Sequence, residues 1–176
     1  PVGATELRAP ITPSDLATLG GVSVPVDCSA RGLPDPAPSS GLTPAAEQTR
    51  TAILGAALDC AYWRLASFAA PDFDGPDDLA LTIIEQEANG IPVMADIANN
   101  LGLAHGERAS LDGGIEYVWP SILDDEPTDE DWELLRLLYN EERIAEWREG
   151  RAPFDGLSIA ITEDGAWIEL SGIPEG

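Results

Sequence analysis

Two short runs of alternating apolar and polar residues stand out near the C-terminal end of the chain, at 157–161 and 166–170. Between them, Thr162, Glu163, Asp164 and Gly165 form a sequence typical of a tight turn, in which the glycine takes the positive φ that Asp-Gly turns require. The pattern predicts an antiparallel hairpin with strands at 157–162 and 166–171.

A third strand is predicted at Ile115–Trp119, which follows the turn residues Asp112, Gly113 and Gly114 and ends before Pro120. A lone hairpin is only marginally stable in water, so its apolar face requires a cover. We therefore expect a small antiparallel sheet, formed by the hairpin and strand 115–119, with several α-helices packed against it.

Helical spacing of apolar residues accounts for much of the remaining chain. A helix is predicted to begin at Pro44, because Thr43 is a suitable N-cap and proline is favoured at the first helical position. Thr128 and Asp131 form a variant of the capping box at the start of another helix. After the helix that begins at Pro44, the predicted helices are 62–69, 76–89, 91–101, 129–139 and 140–149.

The N-terminal residues differ from the rest of the chain because proline, glycine and serine are frequent there. Proline fixes φ and removes a backbone donor, which disfavours long regular elements. We predict an irregular N-terminal arm over residues 1–26 and a single domain over 27–176. The fold class expected is α+β.

The chain is strongly acidic, with 32 Asp and Glu residues against 9 basic ones and a net charge of −23. Nucleic-acid phosphates and anionic membrane surfaces would be repelled by most of its faces. The partner is left unknown: the charge is compatible with a cation, a basic protein or no partner, and a cell-envelope component is a further candidate. Solubility alone, or a salty habitat, explains the same charge without a partner.

No apolar run approaches the length required to cross a bilayer. The sequence begins at Pro1 rather than methionine, which is compatible with removal of an upstream signal segment or lipid anchor. From the residues alone, Cys28 and Cys60 are equally compatible with one disulfide and with two buried thiols. The expected location is extracellular or at the cell surface.

Sequence motifs for chemistry are sparse: the chain has no G-x-S-x-G, no phosphate-binding loop and no dinucleotide fingerprint. His105 is a candidate general base, although a solvated loop histidine is the simpler interpretation. Glu116 is a candidate catalytic carboxylate because it lies beside aromatic residues of a strand, where burial raises a carboxyl pKa. An outward glutamate alternating with an inward Tyr117 explains the pattern more simply.

No cofactor and no metal site are expected. The acidic turn 72–78 has the oxygen density of a calcium loop but not its spacing, and helix capping explains it better. Tyr117, Trp119 and Trp167 are candidate binding residues. With Trp132 and Trp147, these tryptophans are either a sugar-binding platform or, more simply, core side chains.

The order of several short segments resembles an uncharacterised family of bacterial envelope proteins and lipoproteins that is frequent in actinobacteria. The segments, over roughly 27–171, are DCSA at 27–30, TRTAI at 49–53, ALDCAY at 57–62, YVWPS at 117–121, PTDEDW at 127–132 and IAITEDGAW at 159–167. The resemblance implies a secreted domain with a Cys28–Cys60 disulfide. It supplies no activity and no catalytic residues.

Three functions remain as hypotheses. The first is a secreted or envelope-associated domain of unknown role that is a non-enzymatic binding module. The second is a hydrolase-like enzyme that uses a carboxylate such as Glu116 in a sheet pocket. The third is an acidic inhibitor of a basic protein, which would bind less tightly as salt increases.

Overall fold

The computed structural model describes residues 28–69, 76–111 and 113–173. These ranges form an α+β fold with six helices and one four-stranded antiparallel sheet, as the sequence predicts. The predicted arm 1–26 lies outside them, and so do positions 72–75 of the acidic turn.

All the helices except the second begin where the sequence provides a side-chain cap or a proline. Thr43 accepts the backbone N–H of Ala46 at the start of the first helix, and Thr128 and Asp131 form the predicted capping box at the start of the fifth. The helices are α1 Pro44–Leu58, α2 Tyr62–Ala66, α3 Pro76–Ala88, α4 Val93–Leu101, α5 Asp129–Leu134 and α6 Glu141–Arg148.

Three predicted helices are shorter in the structure by two or more residues at one end. The helix predicted at 62–69 ends at Ala66, and the one predicted at 91–101 begins at Val93. The helix predicted at 129–139 ends at Leu134 and continues as the 3₁₀ turn Leu135–Leu137. The tighter turn leaves Leu135 fully buried while Leu137 is exposed, so a regular helical stripe is not maintained.

The sheet has the strand order β1-β2-β3-β4, and all neighbouring strands are antiparallel. Its strands are β1 Gly106–Ala109, β2 Ile115–Trp119, β3 Ser158–Thr162 and β4 Trp167–Ser171. The hairpin β3–β4 and the third strand β2 confirm the sequence prediction. Strand β1 was not predicted, because its residues show no apolar alternation.

One face of the sheet forms the main hydrophobic core. Tyr117 and Trp119 on β2 lie opposite Ile161 and Ile159 on β3, and all four side chains are buried against helical residues. Helices α1 and α4 both contact β3. The late hairpin therefore supplies the surface on which the earlier helices pack.

Helix α1 holds the β3–β4 turn by two side-chain hydrogen bonds. The Thr43 hydroxyl donates to the Glu163 carbonyl at 2.6 Å, and the Thr49 hydroxyl donates to the Gly165 carbonyl at 2.7 Å. Gly165 has the predicted positive φ of 90°. A methyl group at this position would lie 2.9 Å from the carbonyl oxygen of Ala45, so glycine is also required for the approach of α1.

The segment before α1 is joined to the helices by a disulfide and by a buried carboxylate. Cys28 and Cys60 lie at disulfide distance, with their Cα atoms 6.0 Å apart. The adjacent Ser29 donates both its backbone N–H (2.9 Å) and its hydroxyl (2.6 Å) to Glu87 of α3. Glu87 also accepts the backbone N–H of Met94 at 2.8 Å, which satisfies a donor at the start of α4.

A second, smaller hydrophobic cluster lies beside the sheet and joins α6 to the segments around it. It is formed by Ile122, Leu135, Ile144 and Trp147, with Tyr139 and Phe154 packed against them. Within the ranges described, no helix is both long and apolar enough to cross a membrane.

Candidate functional site

Glu116 lies on the face of the sheet opposite Tyr117 and Trp119, as strand alternation predicts. That face is not open to water, because Glu116 is only 9% exposed. The Nε atom of Arg108, directly across on β1, donates to the Glu116 carboxylate at 2.7 Å. The glutamate is therefore held in an ion pair and does not share a pocket with the aromatic rings.

Arg108 also pairs with Glu169 of β4, and the two glutamates thus share one guanidinium. Burial raises the pKa of Glu169, but hydrogen bonds from Arg108 and Ser158 outweigh that effect and leave this pKa below its ordinary value. The network keeps the Glu169 carboxylate ionised, which is the reverse of what a general acid requires. Its geometry fits a structural role across the sheet.

The three candidate binding aromatics lie inside the core. Tyr117 is 4% exposed, and Trp119 and Trp167 are fully buried. A sugar or another ligand stacks on a ring whose face is accessible, and these rings instead pack against core side chains.

His105 is half-buried rather than solvated, which corrects the simpler interpretation of the sequence. Its ring contacts the Tyr117 ring edge-to-face at a centroid distance of 5.3 Å and lies 5.7 Å from the Trp119 ring. The Nδ1 atom is 3.0 Å from the hydroxyl oxygen of Ser39. Burial lowers the pKa of His105, so the imidazole is neutral near pH 7.

An open groove of about 520 Å³ is lined by both aromatic rings and carboxylates. It lies between the start of α4, the helix α6 and the two ends of the β3–β4 hairpin. We call it the acidic groove, and its lining residues are Val93, Asp96, Tyr139, Arg143, Trp147, Asp155, Gly156, Leu157, Gly172 and Ile173.

Asp96 supplies a carboxylate to one wall of the acidic groove, in the first turn of α4. Among the residues that the structure describes, none forms a hydrogen bond or an ion pair with this carboxylate. Burial, with a contribution from the negative charge of Glu87, raises the pKa of Asp96 to about 6. An unpaired, partly desolvated carboxylate gains free energy from any cation that enters the groove.

The floor of the groove is fixed by close backbone packing around Tyr139. The tyrosine hydroxyl accepts the backbone N–H of Leu157 at 2.9 Å. A Cβ at Gly156 would lie 2.5 Å from that hydroxyl, and a Cβ at Gly172 would lie 1.9 Å from the carbonyl oxygen of Gly156. Both glycines are therefore needed for the hairpin to close against the tyrosine.

The opposite wall contains a second carboxylate, Asp155, and the indole of Trp147. The indole N–H donates to Asp155 at 3.2 Å, which orients the carboxylate. Arg143 binds the same Asp155 and lies over the Trp147 ring, with its Cζ atom 5.2 Å from the ring centroid. Burial raises the pKa of Tyr139, and both Asp96 and Asp155 raise it further, so both carboxylates act on the same hydroxyl.

The sequence does not reveal this groove, although it identifies Trp147 as either a core or a sugar-binding residue. Asp96, Tyr139 and Asp155 come from separate segments, and in so acidic a chain no single aspartate is distinctive. Tyr139, Trp147 and Phe154 are the one local signal, because three aromatic residues within sixteen positions contact one another.

No group of three His, Cys, Asp or Glu residues suited to a metal ion occurs within the described ranges. In comparisons with protein-family models, curated proteins and solved structures, no match to this chain was found. The chemistry of the acidic groove is therefore the basis for assigning a function.

Proposed function

We propose that this protein is a secreted or envelope-associated binding module that recognises a basic protein or peptide through its acidic groove. The observation that carries the proposal is the Asp96 carboxylate, which is half-buried and has no hydrogen bond or ion pair among the described residues. A cationic side chain in the groove would supply the missing partner. The partly exposed Tyr139 beside it provides the apolar contact that a long basic side chain also requires, whereas the buried Trp147 ring is covered by Arg143.

The charge of the whole molecule supports a basic partner. With a net charge of −23, the protein attracts a cation over distances of about 10 Å at moderate salt. Such a field accelerates association, whereas contacts inside the groove determine how long the complex lasts. The two effects are separable by measuring both rate constants as salt is varied.

The proposed location rests on two observations. Cys28 and Cys60 lie at disulfide distance, and disulfides persist mainly outside the cytosol. The segment order resembles a family of secreted and lipid-anchored bacterial proteins, which supports a place at the cell envelope.

The proposal is tested by titrating the protein with a short peptide that contains several arginines and lysines, using calorimetry at two salt concentrations. Asp96→Asn and Asp155→Asn are each expected to weaken binding about tenfold, because each removes one partner of the cation. The matched control is Glu130→Gln, which removes one exposed charge from α5, outside the groove. It is expected to change affinity by less than about twofold.

Equal losses in the groove variants and in the control would contradict the proposal, since binding would then follow net charge alone. Absence of binding by the unmodified protein at low salt would contradict it as well. The proposal is supported if the unmodified protein binds the peptide and only the groove variants lose affinity.

A hydrolytic enzyme is the second candidate, and the 3.0 Å distance between the Ser39 hydroxyl and Nδ1 of His105 favours it. A neutral histidine at this distance accepts the hydroxyl proton as the serine attacks an ester carbonyl, and returns it to the leaving alcohol. Glu116, which the sequence suggests as the catalytic carboxylate of a hydrolase, instead forms an ion pair with Arg108.

The second candidate is tested with an activated ester and a fluorophosphonate probe. Ser39→Ala and His105→Gln are expected to abolish turnover and labelling if the pair is catalytic. Ser40→Ala, which changes the neighbouring hydroxyl, is the matched control and is expected to retain both. An unmodified protein that neither turns over the ester nor reacts with the probe would eliminate this candidate.

A further inference from the structure

The acidic groove contains a cation of the protein itself, the guanidinium of Arg143. The Nη1 atom of Arg143 lies 2.7 Å from the Glu146 carboxylate, and its Nη2 atom binds Asp155. The guanidinium also lies over the Trp147 ring. Two carboxylates and one indole face thus form a cage, defined here by Trp147, Glu146 and Asp155.

This cage fits a guanidinium better than an ammonium group. A guanidinium is planar and carries five N–H donors in a fixed fork, so it binds carboxylates at its edges while its face lies on an aromatic ring. An ammonium is a compact, strongly hydrated charge and gains less from the same ring. The Trp147 indole N–H orients Asp155 toward the cage, which makes the arrangement preformed.

The ion pair between Arg143 and Asp155 is partly exposed to water. The Arg143 side chain is 34% exposed, and Asp155 is 57% exposed, so water and salt weaken their ion pair. Asp96, which lines the same groove, receives no hydrogen bond from Arg143 or from any other described residue. An arginine arriving from outside would therefore find, besides the cage, a carboxylate that Arg143 leaves unpaired.

We propose that the acidic groove recognises an arginine side chain of the partner and that Arg143 occupies the cage in the free protein, competing with it. The inference rests on the proposed binding function and adds two features to it: selectivity for arginine over lysine, and self-blocking by Arg143. Removing the competitor is expected to strengthen binding, the reverse of what loss of a binding residue does.

The test compares two peptides of equal charge, one containing arginine and the other lysine at the same positions, against four proteins. The unmodified protein is expected to bind the arginine peptide about five- to tenfold more tightly than the lysine peptide. Arg143→Lys retains the charge and leaves the cage poorly filled, so it is expected to bind the arginine peptide about threefold more tightly than the unmodified protein does. Arg143→Gln is expected to bind it about tenfold more tightly.

The matched control is Arg148→Gln, which removes the same charge from the same helix at a site outside the groove. It is expected to change affinity for the arginine peptide by less than about twofold. The gain in Arg143→Gln must exceed the gain in this control, because both variants make the protein more negative by one charge. Thermal unfolding of each variant establishes that the groove remains folded.

A second measurement uses the indole N–H resonance of Trp147, assigned with Trp147→Phe. N-acetyl-arginine amide is expected to shift this resonance in the unmodified protein, and the lysine analogue is expected to shift it less. An Arg143→Gln variant that binds no better than Arg148→Gln, or equal affinities for the two peptides, would overturn the inference while leaving the binding function intact. Failure of every protein to bind either peptide would instead contradict the binding function.

Discussion

The Nη2 atom of Arg108 on β1 lies 2.7 Å from Oε2 of Glu169 on β4, although two strands separate these residues in the sheet. The same guanidinium donates to Glu116 on β2. Arg108→Met is expected to lower the free energy of unfolding by about 2–3 kcal/mol at pH 7, because two poorly solvated carboxylates lose their partner. Urea denaturation measures this change.

The pH dependence of that loss follows from the lowered pKa of Glu169. A lowered folded-state pKa contributes stability above the unfolded-state pKa, and the contribution disappears as the pH falls through the folded value. The difference between variant and unmodified protein is therefore expected to shrink toward pH 3. Arg64→Met, which breaks an exposed pair with Asp59, is the control and should cost less than about 1 kcal/mol.

Gly165 and Gly113 provide a matched pair of turn substitutions. Both have a positive φ, of 90° and 85°, but only Gly165 lies against α1, while a Cβ at Gly113 would meet no atom within 4 Å. Gly113→Ala is expected to cost about 1 kcal/mol, from backbone strain alone. Gly165→Ala is expected to cost a further 1–3 kcal/mol, roughly, from the clash with the Ala45 carbonyl. Equal losses would contradict the observed contact between the turn and α1.

Asp96→Asn is expected to stabilise the protein above pH 7 while weakening its binding to cations. The pKa of Asp96 is raised from 3.8 to about 6, so folding disfavours the charged carboxylate and the free energy of unfolding falls as the pH rises between these values. Asparagine removes this penalty, for a gain of about 1–2 kcal/mol at pH 7.5.

Below about pH 3 the gain is expected to vanish, because the Asp96 carboxyl group is then protonated in both the folded and the unfolded state. Thermal unfolding at several pH values measures the effect. Glu87 and Tyr139 interact electrostatically with this carboxylate in both proteins, and Glu130→Gln is the control for removal of one negative charge outside the groove. A gain for Asp96→Asn that does not depend on pH would be inconsistent with the assigned pKa.

Replacing Cys28 and Cys60 by serine is expected to lower the free energy of unfolding by about 3–4 kcal/mol, since the disulfide closes a loop of 32 positions in the unfolded chain. Guanidinium denaturation of the unmodified protein after reduction should give the same value. The amide of Met94, which donates to Glu87 beside Ser29, is expected to exchange its hydrogen faster in the variant. A reductant should leave the variant unchanged.

The sequence predicts the parts of the fold whose signals are local. The hairpin follows from its alternation and Asp-Gly turn, and the starts of α1 and α5 follow from Thr43 and Thr128. Strand β1 is not predicted by local signals, because Gly106–Ala109 shows no alternation of apolar and polar residues. Its pairing with β2 is supported by the hydrogen bond from Arg108 to Glu116. The one sequence signal for β1 is the predicted turn at 112–114, because a hairpin turn implies a strand on each side.

The acidic groove could not be predicted because its parts are joined only by tertiary packing. Asp96 and Asp155 are distant in sequence, and what distinguishes them is that one is left unpaired and the other is bound by Arg143. Periodicity identifies which residues are buried, but not which charged residues lack partners. His105 shows the same limit, since its contact with Ser39 joins positions 66 apart.

The two threonine bonds that join α1 to the β3–β4 turn also bear on how the chain is made. They link residues 120 and 116 positions apart, so α1 emerges from the ribosome long before the hairpin that covers its apolar side. Contacts of such long sequence separation slow folding. Until the segment through Gly165 has been synthesised, α1 therefore lacks the turn that these two bonds fix, and its sheet-facing side stays uncovered.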